Sequence, residues 1–389
     1  MKKSMIVAAM LTMVATGANA KSATDSATIA KNKPVFTVVK QNPITSIKDQ
    51  NRSGTCWAYS TLSYFESEIL KHTGKTYDLS EMFVANKTYM DRATMAVRMH
   101  GDVSFSQGGS AYDVLYALQH YGIVPEGAMP APGTLTGDSL ANFGEFFDVM
   151  TPYVEAVAKS NAKKISSAWK SGLQGIIDSY IGKTPEKFTY QGKQYTPQSF
   201  CQSLGLNLDD YVTITSYTHH PMWSKFAVEV QDNWRWPLSY NVPMDDLCKI
   251  IDNAINNGYT VAWGGDVTED GFTRKGLGIA YDVKKVRSMA GTDADHWFKL
   301  SKDEKKEKFD SLGVNAPEVV PTQAMRQEAF DNWETTDDHG MHIYGIAKDQ
   351  NGKEYYMVKN SWGEYGDYKG TWYMTKAFVA YKTMDFMVN

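Results

Sequence analysis

DQNRSGTCWAYS, residues 49–60, puts one of the chain's three cysteines directly before a tryptophan, at the end of a polar run containing a glycine. From Cys56 onward the apolar residues Leu62, Phe65, Ile69 and Leu70 recur at spacings that predict a helix, with Gly74 as its stop. Cysteine is usually a small buried hydrophobe. A cysteine in the first turn of a helix is different, because unpaired N–H groups and the helix dipole there favour the thiolate. Gln50, six positions earlier, offers an amide N–H donor to the same space, as an oxyanion hole requires.

A thiolate nucleophile needs a proton partner. Of the eight histidines, His339 in DDHGMHIYGIA starts a strand, and the QNG at 350–352 turns that strand into a hairpin whose second arm ends in KNSWG. The hairpin brings Asn360 across from His339, so its amide can orient the imidazole. Cys–His–Asn is a thiol version of the nucleophile, base and orienter arrangement. His342 competes for the base role, but strand alternation sets it on the opposite face from Met341, and it reads as a structural histidine.

These blocks, with LSE at 79–81, GG at 108–109, DHGM at 338–341 and KNSWG at 359–363, stand in the order of papain-like cysteine peptidases. The long middle, with YGIVPEGAMP and LCKIIDNAINNGYTVAWGGDV, resembles the bleomycin hydrolase and aminopeptidase C branch. The resemblance implies an α+β, papain-like two-lobed fold: a helical lobe, an antiparallel barrel-like β lobe and a long, mostly helical insertion. It implies Cys56 as nucleophile paired as thiolate with a His339 imidazolium, and Asn360 as orienter. Gln50 and the Cys56 backbone N–H would form the oxyanion hole. Trp362 would shield the His–Asn bond, while Gly108 and Gly109 line the substrate cleft. Peptides are the implied substrates, no cofactor is implied, and assembly into oligomers is a family trait that this chain can share.

The rest of the sequence bounds that reading. MKKSMIVAAMLTMVATGANA at 1–20 has a basic start, a short apolar run and an Ala-Asn-Ala end, the pattern of a secretory leader, so an exported, periplasmic or secreted protein is expected. No stretch is long and apolar enough for a membrane span. A net charge of −4, spread along the chain, argues against nucleic-acid or membrane partners. The segments divide into the leader (1–20), an arm and strand (21–45), a helical lobe (46–240) with its insertion at about 135–235, and a β lobe (241–389). Further helices are expected from a D-x-x-E cap at Asp78–Glu81 and from Ser110 and Asp113, and a strand across 370–379. Cys201 and Cys248 can pair or stay free. His219 and His220 have no carboxylate or thiol at ligand spacing, so no metal is expected.

Two departures from the family pattern matter. Ser53 stands where secreted papain-like enzymes place a disulfide cysteine, and the segment before Cys56 is too short for an inhibitory propeptide. The sequence also ends at AYKTMDFMVN, without the extension whose terminal carboxylate receives the substrate's amino end in the aminopeptidase branch. Aminopeptidase action is the first reading, with the inserted region closing the cleft instead. An endopeptidase, or an inactive peptide-binding protein, are the alternatives.

Overall fold

The computed structural model describes residues 33–132, 140–289 and 299–389. The leader expected at 1–20 and the arm as far as residue 32 lie outside them.

Helix α1 (Cys56–Thr73) is the central rod, buried along almost its whole length. It ends as expected: Gly74 takes φ +68°, and its N–H closes the last turn on Leu70 O, a backbone state that suits glycine. Helix α2 (Glu81–Arg98) begins one residue after Ser80, whose hydroxyl accepts the Phe83 N–H at 3.1 Å. Asp78 is therefore not the cap. Glu81 turns inward instead, to Lys48 at 2.9 Å. Helix α3 (Ala111–His120) has the expected Ser110–Asp113 capping box. Helices α4 (Gly144–Ala158) and α5 (Ala168–Ile181) pack their apolar stripes against this group. Leu62, Phe65, Phe83, Val114, Phe146 and Ile177 form one core with them.

Phe188–Tyr190 pairs with Lys193–Tyr195 in a separate hairpin, and the other eleven described strands form one sheet. Its members are β1 (Thr37–Gln41), β2 (Val212–Thr215), β3 (Val261–Gly265), β4 (His339–Lys348), β5 (Glu354–Lys359), β6 (Thr371–Thr375) and β7 (Thr383–Val388), with short strands at both ends. The central order is β2-β7-β3-β4-β5-β6. Its two edges, Lys225–Phe226 and Phe272–Thr273, do not pair with each other among the described residues. The expected barrel-like lobe is thus an open sheet, and it includes two parallel pairings, Val212–Thr215 with Ser239–Asn241 and Thr371–Thr375 with Leu277–Gly278. The region expected as a mostly helical insertion also contributes strands to it, at 212–215 and 225–226.

Alternation along the strands joins the two layers. In β3, Val261 and Trp263 enter a second core with Leu247 and Ile251 of helix α6 (Met244–Asn256), while Ala262 points to the α1 side. In β7, Phe386 and Val388 face α6 and Met387 faces α1. The sheet is therefore sandwiched, and the first residues of α1 meet the first residues of β4. A Cβ at Gly340 would lie 2.7 Å from Ser60 Oγ and 3.3 Å from Cys56 O, so only glycine permits this approach.

The predicted hairpin is present. Gly352 takes φ +81°, and its N–H reaches Asp349 O at 3.0 Å. The strand expected over 370–379 is half right. Thr375 ends β6 and caps a short helix, Lys376–Lys382, by accepting the Phe378 N–H.

Candidate active site

Cys56 at the start of α1 and His339 at the start of β4 line a single cavity of about 250 Å3. Pairing of His342 with Lys359 sets the register of β4 on β5, which carries Asn360, just beyond the strand, back beside His339. The His339 Nε2–H donates to Asn360 Oδ1 at 2.8 Å. In the neutral ring this fixes the tautomer that leaves the Nδ1 lone pair as the base. Trp362 lies against the imidazole, ring centroids 5.0 Å apart, and the His339–Asn360 pair is buried. The spatial set expected from sequence is thereby brought together.

Burial opposes the ion pair expected from sequence at both of its members. Burial pushes the Cys56 thiol up to about 11, against the lowering effect of the Gly340 backbone N–H, and Asp337 and Asp232 raise it further. Burial also holds His339 below the usual histidine value, although Asn360 and Asp338 pull it upward. Burial therefore works against the helix N-terminus at the sulfur and against the positive charge on the ring.

Gly108 and Gly109 do line the cavity. Their role is tight spacing rather than helix entry. A Cβ on Gly108 would fall 1.9 Å from Asp232 Oδ2, and one on Gly109 would fall 2.9 Å from the Trp57 ring. Gln50 is placed next to the cavity rather than on its wall. Its Oε1 accepts from Ser361 Oγ at 2.6 Å, and its Nε2 donates one hydrogen to Ser53 O at 2.7 Å. The second amide hydrogen is the one available to an oxyanion.

Sequence reasoning missed half of this cavity. Asp232, Asp337 and Asp385 all line it. Arg92, fully buried on α2, donates to Gly108 O at 2.6 Å and to Asp232 Oδ1 at 3.0 Å, tying two walls together. Burial and the neighbouring carboxylates Asp232, Asp385 and Asp338 raise Asp337 far above the ordinary carboxylate range; burial brings Asp385 up to about 6. The residues come from the loop between the strands Lys225–Phe226 and Ser239–Asn241, the lead into β4 and the last strand. Only Asp337, beside the DHG motif, carried any sequence signal.

A model of the peptidase C1-like family matches residues 2–312. The chain belongs to the peptidase C1-like family. It is a cysteine peptidase of papain-like type. It is similar to aminopeptidase G of Lactobacillus delbrueckii subsp. lactis, 24% identical over 86% of this chain and 78% of that one. It is equally similar to aminopeptidase C of Lactobacillus helveticus, 24% identical over 88% of this chain and 80% of the relative. The solved structure of PepW from Lactobacillus rhamnosis HN001 superposes with a TM-score of 0.67 at 20% identity, over 96% of this chain and 89% of that one, a likeness of fold.

Other candidates of this peptidase fall outside the cavity. His342 is fully buried, with Nδ1 2.9 Å from Ser63 Oγ, and burial holds its pKa far down. Cys201 and Cys248 are unpaired, each directing its sulfur to a backbone carbonyl. The expectation that His219 and His220 lack a carboxylate partner is corrected: the chain turns back through Lys225–Phe226 and places Glu229 against both rings, 3.0 Å from each Nε2. No described helix is long and apolar enough to cross a membrane.

Proposed function

We propose that this peptidase is an aminopeptidase that removes residues from the amino end of peptides through a thioester on Cys56. The cavity beside the thiol carries the argument. Its walls hold Asp232, Asp337 and Asp385, of which Asp232 is balanced by Arg92. Asp337, raised by burial and by the carboxylates crowded round it, gains from a cation placed among them, and the α-ammonium of a free peptide is such a cation. The names of the related aminopeptidases point the same way. The stretch 228–233 supplies this wall through Val228, Val230, Asp232 and Asn233, in keeping with an inserted region that closes the cleft.

In the proposed reaction the Cys56 sulfur attacks the first peptide carbonyl as its proton passes to His339 Nδ1. The Cys56 backbone N–H and the second Gln50 amide hydrogen stabilise the oxyanion. Collapse breaks the C–N bond, and His339 returns the proton to the departing amine. Water, deprotonated by the same imidazole, then cleaves the thioester and restores the thiol. Asn360 keeps the ring in register throughout, and Trp362 keeps water from their hydrogen bond.

Hydrolysis of a free-amino aminoacyl amide beside its N-acetyl twin tests the reading. Cleavage of the free form at least about tenfold faster is expected, with the preference narrowed by Asp337→Asn. Equal rates, or preference for the acetylated compound, would make the enzyme an endopeptidase. The pattern at 1–20 adds the proposal that the enzyme is exported, checked by the amino-terminal residue of the native protein, expected near Lys21.

A further inference from the structure

We infer that His219, His220 and Glu229 form a site for one divalent transition-metal ion of the zinc class at the rim of the cleft. One ligand atom from each lies within 4.8 Å of the others, the only such grouping of histidine, cysteine or carboxylate side chains found among the described residues. Glu229 Oε2 lies 3.0 Å from His219 Nε2, and Oε1 lies 3.0 Å from His220 Nε2. Ligand atoms about 2.0–2.2 Å from a tetrahedral ion are about 3.3–3.5 Å apart. Each ring is thus within a few tenths of an ångström of its distance from the carboxylate in such a site, and with all three ligand atoms inside 4.8 Å of one another, side-chain rotation alone brings them round one ion.

The rings are held for this purpose without a metal. His220 stacks on Phe226, centroids 4.2 Å apart at 22°, and His219 lies parallel to Phe330 at 5.8 Å and 17°. On the far side of His219, Nδ1 lies 3.1 Å from Gln327 Nε2 and 3.4 Å from Gln327 Oε1, the oxygen that accepts the Thr218 N–H. Gln327 thereby fixes the orientation of the ring, and an ion at Nε2 takes the place of the proton shared with Glu229. The side chains of His219, His220 and Glu229 are 31%, 37% and 55% exposed. Solvent therefore reaches the ion and supplies its fourth ligand.

Two imidazoles and one carboxylate suit zinc rather than calcium or magnesium, which require oxygen shells. The location gives the ion a consequence. Glu229 continues into the stretch that walls the thiol's cavity, and an adjoining groove of about 710 Å3 shares Val230, Asp232, Asp337 and Met384 with that cavity. An ion bridging Glu229 to the 219–220 turn braces that wall.

Titration calorimetry with zinc chloride on the untagged full chain carrying Cys56→Ala tests the site without interference from the reactive thiol. Uptake of one equivalent is expected, with none from magnesium chloride. Zinc uptake is lost in His220→Gln, which keeps a hydrogen-bond donor to Glu229, and in Glu229→Gln. Gln327→Ala weakens it about 10- to 100-fold. Hydrogen exchange in 217–232 slows when zinc is added. Unchanged melting of the variants without metal excludes misfolding as the cause. No equivalent taken up by the parent, or equal uptake by both ligand variants, overturns the site.

Discussion

Replacing Asn360 by alanine distinguishes two resting states of the catalytic pair that share the same atoms. The Asn360 Oδ1 accepts the His339 Nε2–H at 2.8 Å inside a buried pair. A hydrogen bond to a charged group contributes about 1.5–3 kcal/mol, and 1.36 kcal/mol is one pH unit. If the resting pair is neutral, the direction in which burial shifts both Cys56 and His339, the bond favours most the doubly protonated state that forms in acid. Its removal lowers a His339 pKa that already lies below the usual value, and the acid limb of kcat/KM moves down by about 1–2 pH units. If the resting pair is already thiolate and imidazolium, both states carry the charged ring, and the limb stays in place. In either case the rate at the optimum falls, because the ring loses its orientation. The assay is kcat/KM for a free-amino substrate between pH 4 and 10, with the rate of iodoacetamide labelling of Cys56 as a second profile. An acid limb that does not move, with a reduced plateau, refutes the neutral pair.

Gly108→Ala drives a methyl group to within 1.9 Å of Asp232 Oδ2 and displaces that carboxylate from Arg92. Arg92 keeps its carbonyl partners, so the expected loss is about 2–3 kcal/mol, below the full cost of breaking a buried pair, read by urea denaturation; an unchanged midpoint would mean the loop yields freely. His339→Ala lowers kcat/KM by about 100- to 10,000-fold. His342→Ala stays within about tenfold of the parent rate but loses about 2–3 kcal/mol of stability with its Ser63 bond and its packing. The reverse pattern in kinetics would make His342 the base.

The elements that sequence disclosed are those whose signals are local. Gly74 ends α1 because only its own backbone must turn left-handed, and the QNG turn closes β4 on β5 for the same reason. The misreadings were competitions between two local signals decided at a distance. Asp78 and Ser80 both offered an acceptor to α2, and Ser80 won once Glu81 was drawn to Lys48. Thr375 fits a strand and caps a helix equally well; β6 ends there and Phe378 enters the second core. The barrel-like expectation failed because short edge strands far apart in the chain decide whether a sheet closes.

The candidate site divides along the same line, and the division has a chemical meaning. Cys56, His339 and Asn360 were legible because a helix start and a hairpin register fix their relation within short segments. The charge state of the nucleophile was not, because position in α1 is one contribution to the thiol's pKa among several. Burial under β4 opposes the dipole, and Asp232 and Asp337 arrive from separate segments to oppose it further. Those same aspartates line the cavity proposed to receive the substrate's amino end. On that proposal the carboxylates that raise the thiol's pKa are the ones an α-ammonium relieves on entering, which would tie formation of the nucleophile to arrival of a substrate with a free amino end.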